Sequence, residues 1–309
     1  SRTVISLLQM QHNLYYNMNF FSHEMTSFYY ALNNGLLYVN GACESTENCK
    51  GKYYMVKDKY AETGYRLQCS HCHCTKSIFF KSIFTRSKLP MTTVFHILYC
   101  WANKYRRGLA AHECCVSKQT ITNFYQSFRL ACMHRLHVHP QQPIGGPGTV
   151  VEIDESVMTK RKYNRGRKMS EIWLFGGICR QTGERFIFQV PERSADYLIP
   201  LIQVYIKPGT TIHSDGWAAY NEIKNLPQNY NHLIVNHSEN FVDPETGCHT
   251  QSVERMWREV KRVKRIMEGI NPIDIDGYIA EYLWRKHEEV NYSNGFNKAV
   301  MLLYGCPFY

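Results

Sequence analysis

"TTIHSDGWAAYNEIKNL", residues 210–226, changes character in its middle. The β-branched run Thr210-Thr211-Ile212 favours extended backbone; Gly216 and Trp217 break it, and "AAYNEIKNL" reads as a short helix. Asp215 stands at the join, a poor strand residue and a good turn or cap residue. The local pattern supports two readings. Asp215 caps the helix that begins near Ala218, or a strand end delivers its carboxylate for chemistry.

Upstream, "TVVEID" (149–154) reads as a first strand. "EIWLFGGICR" and "ERFIFQV" flank "QTG" as a hairpin, and "SADYLIPLIQVYI" (194–206) as a helix entered through Ser194 despite Pro200. Downstream, "HLIVN" gives a fifth strand and a long helix runs from about Gln251 to Met267. Hairpin strands first, then strands alternating with helices, imply a mixed α/β sheet. In that order Asp154 ends strand one and Asp215 ends strand four. If those strands are neighbours, two carboxylates lie side by side and repel unless divalent cations separate them. Mg²⁺, which takes one or two carboxylates plus substrate phosphates, suits such a place. A third acid would complete a two-metal site.

That third acid is Glu254, in "HTQSVERMWREVKR" (249–262). Val253, Met256, Trp257, Val260 and Val263 form the apolar stripe of the helix, and Glu254 heads a line of bases, Arg258, Lys261 and Arg265, on the adjoining face. The competing reading is an i,i+4 Glu–Arg pair contributing ~0.2–0.5 kcal/mol. Glu259 falls on a more exposed face. Glu152, two residues before Asp154 on the same strand face, is expected to support the site from behind.

The chain of 309 residues has room for one large domain and one or two small ones, and 44% hydrophobic and 14% aromatic residues provide a core. The formal charge of +10 is local: "TKRKYNRGRK" (159–168) and "REVKRVKR" (258–265) hold much of it. Lys160, Arg161, Lys162, Arg165, Arg167 and Lys168, interleaved with Tyr, Asn and Gly, point to a polyanion; a solubilising surface is the plainer reading. No apolar run approaches the ~20 residues that span a bilayer. The first residues lack the order of a secretory signal, so a reducing compartment is expected.

Of twelve cysteines, five fall between Cys43 and Cys74. Cys69-x2-Cys72 is a tight pair suited to one tetrahedral zinc, with Cys43 and Cys49 across two strand-like segments as the second pair. His71, His73 and Cys74 are rival ligands. Cys100, Cys132, Cys179 and Cys306 sit among apolar neighbours, as ordinary buried thiols do. "MTTVFHILYCWANKY" (91–105) is helical, and "LAAHECCVSKQTITNFYQSF" (109–128) has the form of a helix-turn-helix with Ser117 as N-cap. Lys118, Gln119, Thr120 and Asn123 then stand where such motifs face the major groove; a plain structural helix pair fits equally. Residues 139–148, "HPQQPIGGPG", read as a linker. The expected plan is an N-terminal helical segment (1–38), a zinc-ribbon-like region (39–88), a helical DNA-binding region (89–138), the linker, and a catalytic domain with its C-terminal helix (149–309).

"VEIDES", "HSDGWAAY", "NHSENFVDPETGCHTQSVERMWREVKR" and "DGYIAEYLWRK", with "RLQCSHC" and "SIFFKSIFTRSKLP" upstream, resemble in their joint order the DDE transposases of the Merlin superfamily and their bacterial insertion-sequence relatives with an ISXO2-like domain. The resemblance covers most of the chain. It implies a ribonuclease H-like fold with Asp154, Asp215 and Glu254 as the catalytic triad, holding two Mg²⁺ (or Mn²⁺) ions. It implies cleavage at terminal inverted repeats and joining of 3′ ends to target DNA by at least a homodimer. The place of action would be the nucleus in a eukaryotic host and the cytoplasm or nucleoid in a bacterium. Two other classes stay open: a metal-dependent nuclease without strand transfer, and a domesticated DNA-binding protein.

Overall fold

The computed structural model describes residues 23–85, 87–159, 171–235, 247–266, 274–304 and 306. The chain divides into two compact units, Ser1–Arg135 with Glu288–Tyr309, and Leu136–His287. Among the described residues no helix is long and apolar enough to cross a membrane.

The first unit opens with α1 (Glu24–Asn33), followed by an antiparallel ribbon of β1 (Tyr53–Lys57), β2 (Tyr65–Cys69) and β3 (Thr75–Ser77). Helices α2 (Met91–Ala102), α3 (Arg107–Glu113) and α4 (Lys118–Val138) come next. Glu24 accepts the Met91 amide (2.5 Å) and the Thr92 amide (3.3 Å), so a carboxylate from α1 caps the α2 N-terminus in place of its own N-cap, Pro90. Phe95 of α2 packs edge-on against Tyr30 and Phe84. The C-terminal helix α8 (Gly295–Leu303), expected with the second domain, packs instead in this unit: Phe296 lies against Tyr30, Phe95 and Tyr99. Ser117 does cap α4, its hydroxyl accepting the Thr120 amide at 3.1 Å.

The second unit is a five-stranded mixed sheet. Its strands are β4 (Val150–Thr159), β5 (Ile172–Cys179), β6 (Arg185–Val190), β7 (Thr211–Asp215) and β8 (Asn231–Val235), in the order β6-β5-β4-β7-β8. The first three form an antiparallel meander; β7 and β8 add parallel to β4. That is the ribonuclease H-like arrangement. Alternation along β4 and β5 sends Val151, Ile153 and Phe175 to one face, under α5 (Ala195–Tyr205) and a 3₁₀ helix (Ala218–Asn225). Leu174 and Ile172 go to the other, under α6 (Gln251–Ile266) and α7 (Ile275–His287). The α6 stripe read from sequence is buried there at Val253, Met256, Trp257 and Val260.

Two details depart from expectation. Strand one does not end at Asp154 but runs to Thr159, because β5 stays paired with it past that point while β7 pairs only with Val150–Glu152. "AAYNEIKNL" forms a 3₁₀ rather than an α-helix. The linker residues lie along the second unit: Ile144 bridges Ile206, and the Gly146 amide donates to Thr210 Oγ1 at 2.8 Å.

Gly176, opposite Asp154 in the β4–β5 register, lets α6 approach the sheet. A Cβ there would lie 2.8 Å from the Phe186 carbonyl oxygen, 2.9 Å from Met256 Cε and 3.0 Å from the Trp257 ring. Gly176→Val is therefore expected to lower stability by about 1–3 kcal/mol through overpacking. An unchanged urea midpoint would show that the helix-to-sheet distance is not set at this residue.

Candidate active site and metal centre

In parallel strands, directly paired residues point to the same face, and Glu152 pairs with His213. Carried two residues further, that register brings Asp154 level with Asp215 just beyond the parallel pairing. Asp154 is pushed up to about 8, first by burial, then by the charges of Glu155, Asp215 and Glu254. The three acids singled out in the sequence thus share one electrostatic neighbourhood, with Glu155 beside them. Asp215 Oδ1 accepts the Trp217 amide at 3.0 Å. The cap reading of Asp215 is thereby half true: one oxygen fixes the turn leading into the 3₁₀ helix, and the N-cap position itself belongs to Trp217.

Glu254 reaches this neighbourhood because Glu152 holds the start of α6. The Glu152 side chain is fully buried. Its Oε2 accepts the amides of Ser252 (2.7 Å) and Val253 (3.0 Å), and its Oε1 accepts Arg180 Nε. Two of the orphan amides of the α6 N-terminus are thus satisfied by a carboxylate on the central strand. The Arg180 guanidinium also donates to the His249 carbonyl (2.8 Å) and to His213 Nδ1 (3.0 Å). Burial, and then the Arg180 charge, lower both His213 and His249, so both rings stay neutral and His213 Nδ1 acts as an acceptor. Just ahead of α6 the Thr250 hydroxyl donates to Glu254 Oε1 at 3.2 Å.

Glu259 is held elsewhere. It pairs with Lys286 at 2.8 Å and accepts the Tyr282 hydroxyl at 3.1 Å, so α7 claims it. Arg258 and Lys261 are exposed on α6; the Arg265 side chain and Lys160–Lys168 lie outside the described residues. Lys118, Gln119 and Asn123 are exposed at the start of α4 and Thr120 is half-buried, with Gln119 donating to Asn123 at 2.8 Å.

On the opposite face of β4, Glu155 is raised by burial, a shift opposed by the Tyr220 hydroxyl and the Arg193 guanidinium. Arg193 stacks 3.9 Å over Trp217 and 5.0 Å over Trp173. Sequence reasoning named none of Arg180, His213, Glu155 or Arg193. Arg180 looked like part of the hairpin turn, and only its parity with Ile178, on the Glu152 face, carried a signal.

In the ribbon, the Sγ atoms of Cys43, Cys49, Cys69 and Cys72 lie within 4.8 Å of one another. Cys49–Cys69 is 3.6 Å and Cys43–Cys72 is 3.7 Å. Four thiolates at ~2.3 Å around a tetrahedral zinc stand about 3.8 Å apart, so the donor set fits that ion. Cys74 lies 3.6 Å from Cys43, which leaves five sulfurs for four places. The histidines His71 and His73 are not in the group.

Removing the Glu152 carboxylate strands Arg180 and two helix amides in a buried place. Glu152→Ala should cost about 3–5 kcal/mol, the usual penalty for breaking a buried ion pair from one side. A urea-denaturation change below ~1 kcal/mol would remove Glu152 from its anchoring role.

Comparison with known proteins bears on residues 142–287, which match the ISXO2-like transposase domain. An uncharacterized transposase-like protein of Haemophilus influenzae is 25% identical over 96 residues, 31% of this chain and 75% of that protein. Among solved structures, a chain of the simian T-cell lymphotropic virus intasome in complex with PP2A regulatory subunit B56 gamma aligns with a TM-score of 0.31 and 13% identity. That alignment covers 62% of this chain and 67% of the other. The match of residues 142–287 to the ISXO2-like transposase domain, with the weaker likeness to a transposase-like protein, supports a relationship to the DDE transposases.

Proposed function

We propose that this protein is an active transposase of the Merlin type, which binds the terminal inverted repeats of its element, cleaves there and joins the 3′ ends to target DNA. The observation that supports this reading is the charge that Asp215 and Glu254 exert on the buried Asp154 carboxyl, within the residues that match a transposase domain. A buried carboxyl surrounded by like charges is costly without counter-charge, and divalent cations relieve that cost. Asp154, Asp215 and Glu254 would hold two Mg²⁺ or Mn²⁺ ions. Such ions supply positive charge at a phosphodiester undergoing in-line displacement and lower the pKa of an attacking oxygen.

The chain's own groups do the rest. Glu152 and Arg180 fix the first turn of α6 and so aim Glu254. Arg258, Lys261 and Arg265, with Lys160, Arg161, Lys162, Arg165, Arg167 and Lys168, would hold phosphates. Lys118, Gln119, Thr120 and Asn123 would face base edges from the start of α4. Zinc bound by Cys43, Cys49, Cys69 and Cys72 would stabilise a ribbon with little core of its own. Joining two element ends calls for at least a dimer, acting wherever its DNA resides, in a nucleus or a nucleoid.

Glu254→Gln keeps the volume and removes a charge. It should leave folding and DNA binding nearly intact and cut both cleavage and strand transfer by orders of magnitude. Glu259→Gln should lower stability slightly and leave activity close to the parent's. The assay is cleavage and joining of labelled repeat-end DNA in Mg²⁺. Full activity in Glu254→Gln would refute the triad; cleaved but never joined ends would make the protein a nuclease; binding without cleavage would make it a domesticated DNA-binding protein.

A second expectation concerns charge. Replacing Lys160, Arg161, Arg165 and Arg167 with Ala should weaken binding to every sequence and flatten the salt dependence by ~0.9 per lost phosphate contact. Gln119→Ala or Asn123→Ala should narrow the gap between repeat-end and random DNA. Titrations at several salt concentrations separate the two effects, and an unaltered slope would reduce 159–168 to a solvated surface.

A further inference from the structure

We propose a second zinc site, formed by His96, Cys100 and Cys114 in the helical part of the first unit. His96 and Cys100 lie one turn apart on α2 and so share a face. Cys114 is the C-cap of α3. The ligand atoms of all three lie within 4.8 Å of one another. The Cys100 and Cys114 sulfurs are 3.8 Å apart and both are buried. That is the tetrahedral edge expected for two thiolates at ~2.3 Å from zinc, and it is far beyond the ~2.05 Å of a disulfide bond. The His96 ring interacts directly with the Cys114 sulfur. Two thiolates and one imidazole are a zinc donor set, and the fourth place falls to water or to Glu113, whose charge reaches all three ligands.

The position gives the ion a task. Cys114 and Cys115 form the turn between α3 and α4, and Cys115 holds a positive φ of 53°. An ion on Cys114 ties this turn to α2 and thereby fixes the direction in which α4 leaves with Lys118, Gln119 and Asn123. Ordinary burial, the sequence expectation for Cys100, would need no histidine beside it and no second sulfur at this spacing. The competing account is a hydrogen-bonded thiol pair without metal.

Zinc content separates the two. The protein, purified without chelator, is compared with its His96→Ala and Cys114→Ser variants by elemental analysis. Each variant should carry about one zinc per chain fewer than the parent. A Cys72→Ser change should also lower the count, and combining it with Cys114→Ser should lower it further, because the two sites are independent. If His96→Ala and Cys114→Ser keep the parent's zinc content, the proposal is overturned. Should those variants aggregate, the parent protein substituted with cobalt decides the matter. Absorption from a mixed thiolate–imidazole tetrahedral centre supports the site, whereas a spectrum from four-thiolate cobalt alone overturns it.

Discussion

A single carboxylate organises the sheet-bearing unit of this molecule. Glu152 sits on the central strand, fully buried, and its oxygens take two amides from the first turn of α6 and the guanidinium of Arg180. A buried charge of this kind is costly unless all its lone pairs are used, and here the partners come from a strand end and a helix start far apart in sequence. The consequence is geometric. The helix that carries Glu254 cannot slide along the sheet without stripping those partners, so the acid stays beside Asp154 and Asp215. Gly176 supplies the complementary condition, an absent side chain that allows the helix to sit low enough.

Charge opposition provides the second theme. Glu155, Asp215 and Glu254 all raise the Asp154 carboxyl on the central strand, and Asp215 also raises Glu155. Such crowding is the electrostatic condition under which the proposed divalent cations would bind. The nearby bases offset it only in part: Arg180 is committed to Glu152, and Arg193, stacked on two tryptophans, opposes the rise of Glu155.

Much of this architecture was legible in the residues. Val150, Val151 and Ile153, the "QTG" hairpin and the β-branched run before Asp215 announced the strands, and the stripe from Val253 to Val260 announced the face that α6 buries. Local patterns were weaker where pairing partners decide the outcome. Nothing within "TVVEID" reveals that β5 will keep company with β4 as far as Thr159. The Arg180–Glu152–His213 network joins residues up to 61 positions apart, and single-sequence periodicity carries no information about such contacts. Glu259 was read as exposed because its partner, Lys286, belongs to another helix. Cys100 was read as a plain buried thiol because Cys114 is fourteen residues away, beyond the reach of spacing rules.

The path of the chain has a consequence for biogenesis. Residues 288–309 return to the unit begun by residues 1–135, so the sheet-bearing unit is an insertion within the other. Helix α8 supplies Phe296 to an aromatic cluster whose other members, Tyr30, Phe95 and Tyr99, lie 197 to 266 positions earlier. During vectorial synthesis the inserted unit emerges whole and can collapse on its own contacts, whereas the earlier helices must wait with that cluster uncovered. The ribosome thus finishes the sheet-bearing unit before the unit that surrounds it in sequence. A chain arrested between residues 287 and 295 has a first unit that lacks part of its core while its sheet is already complete.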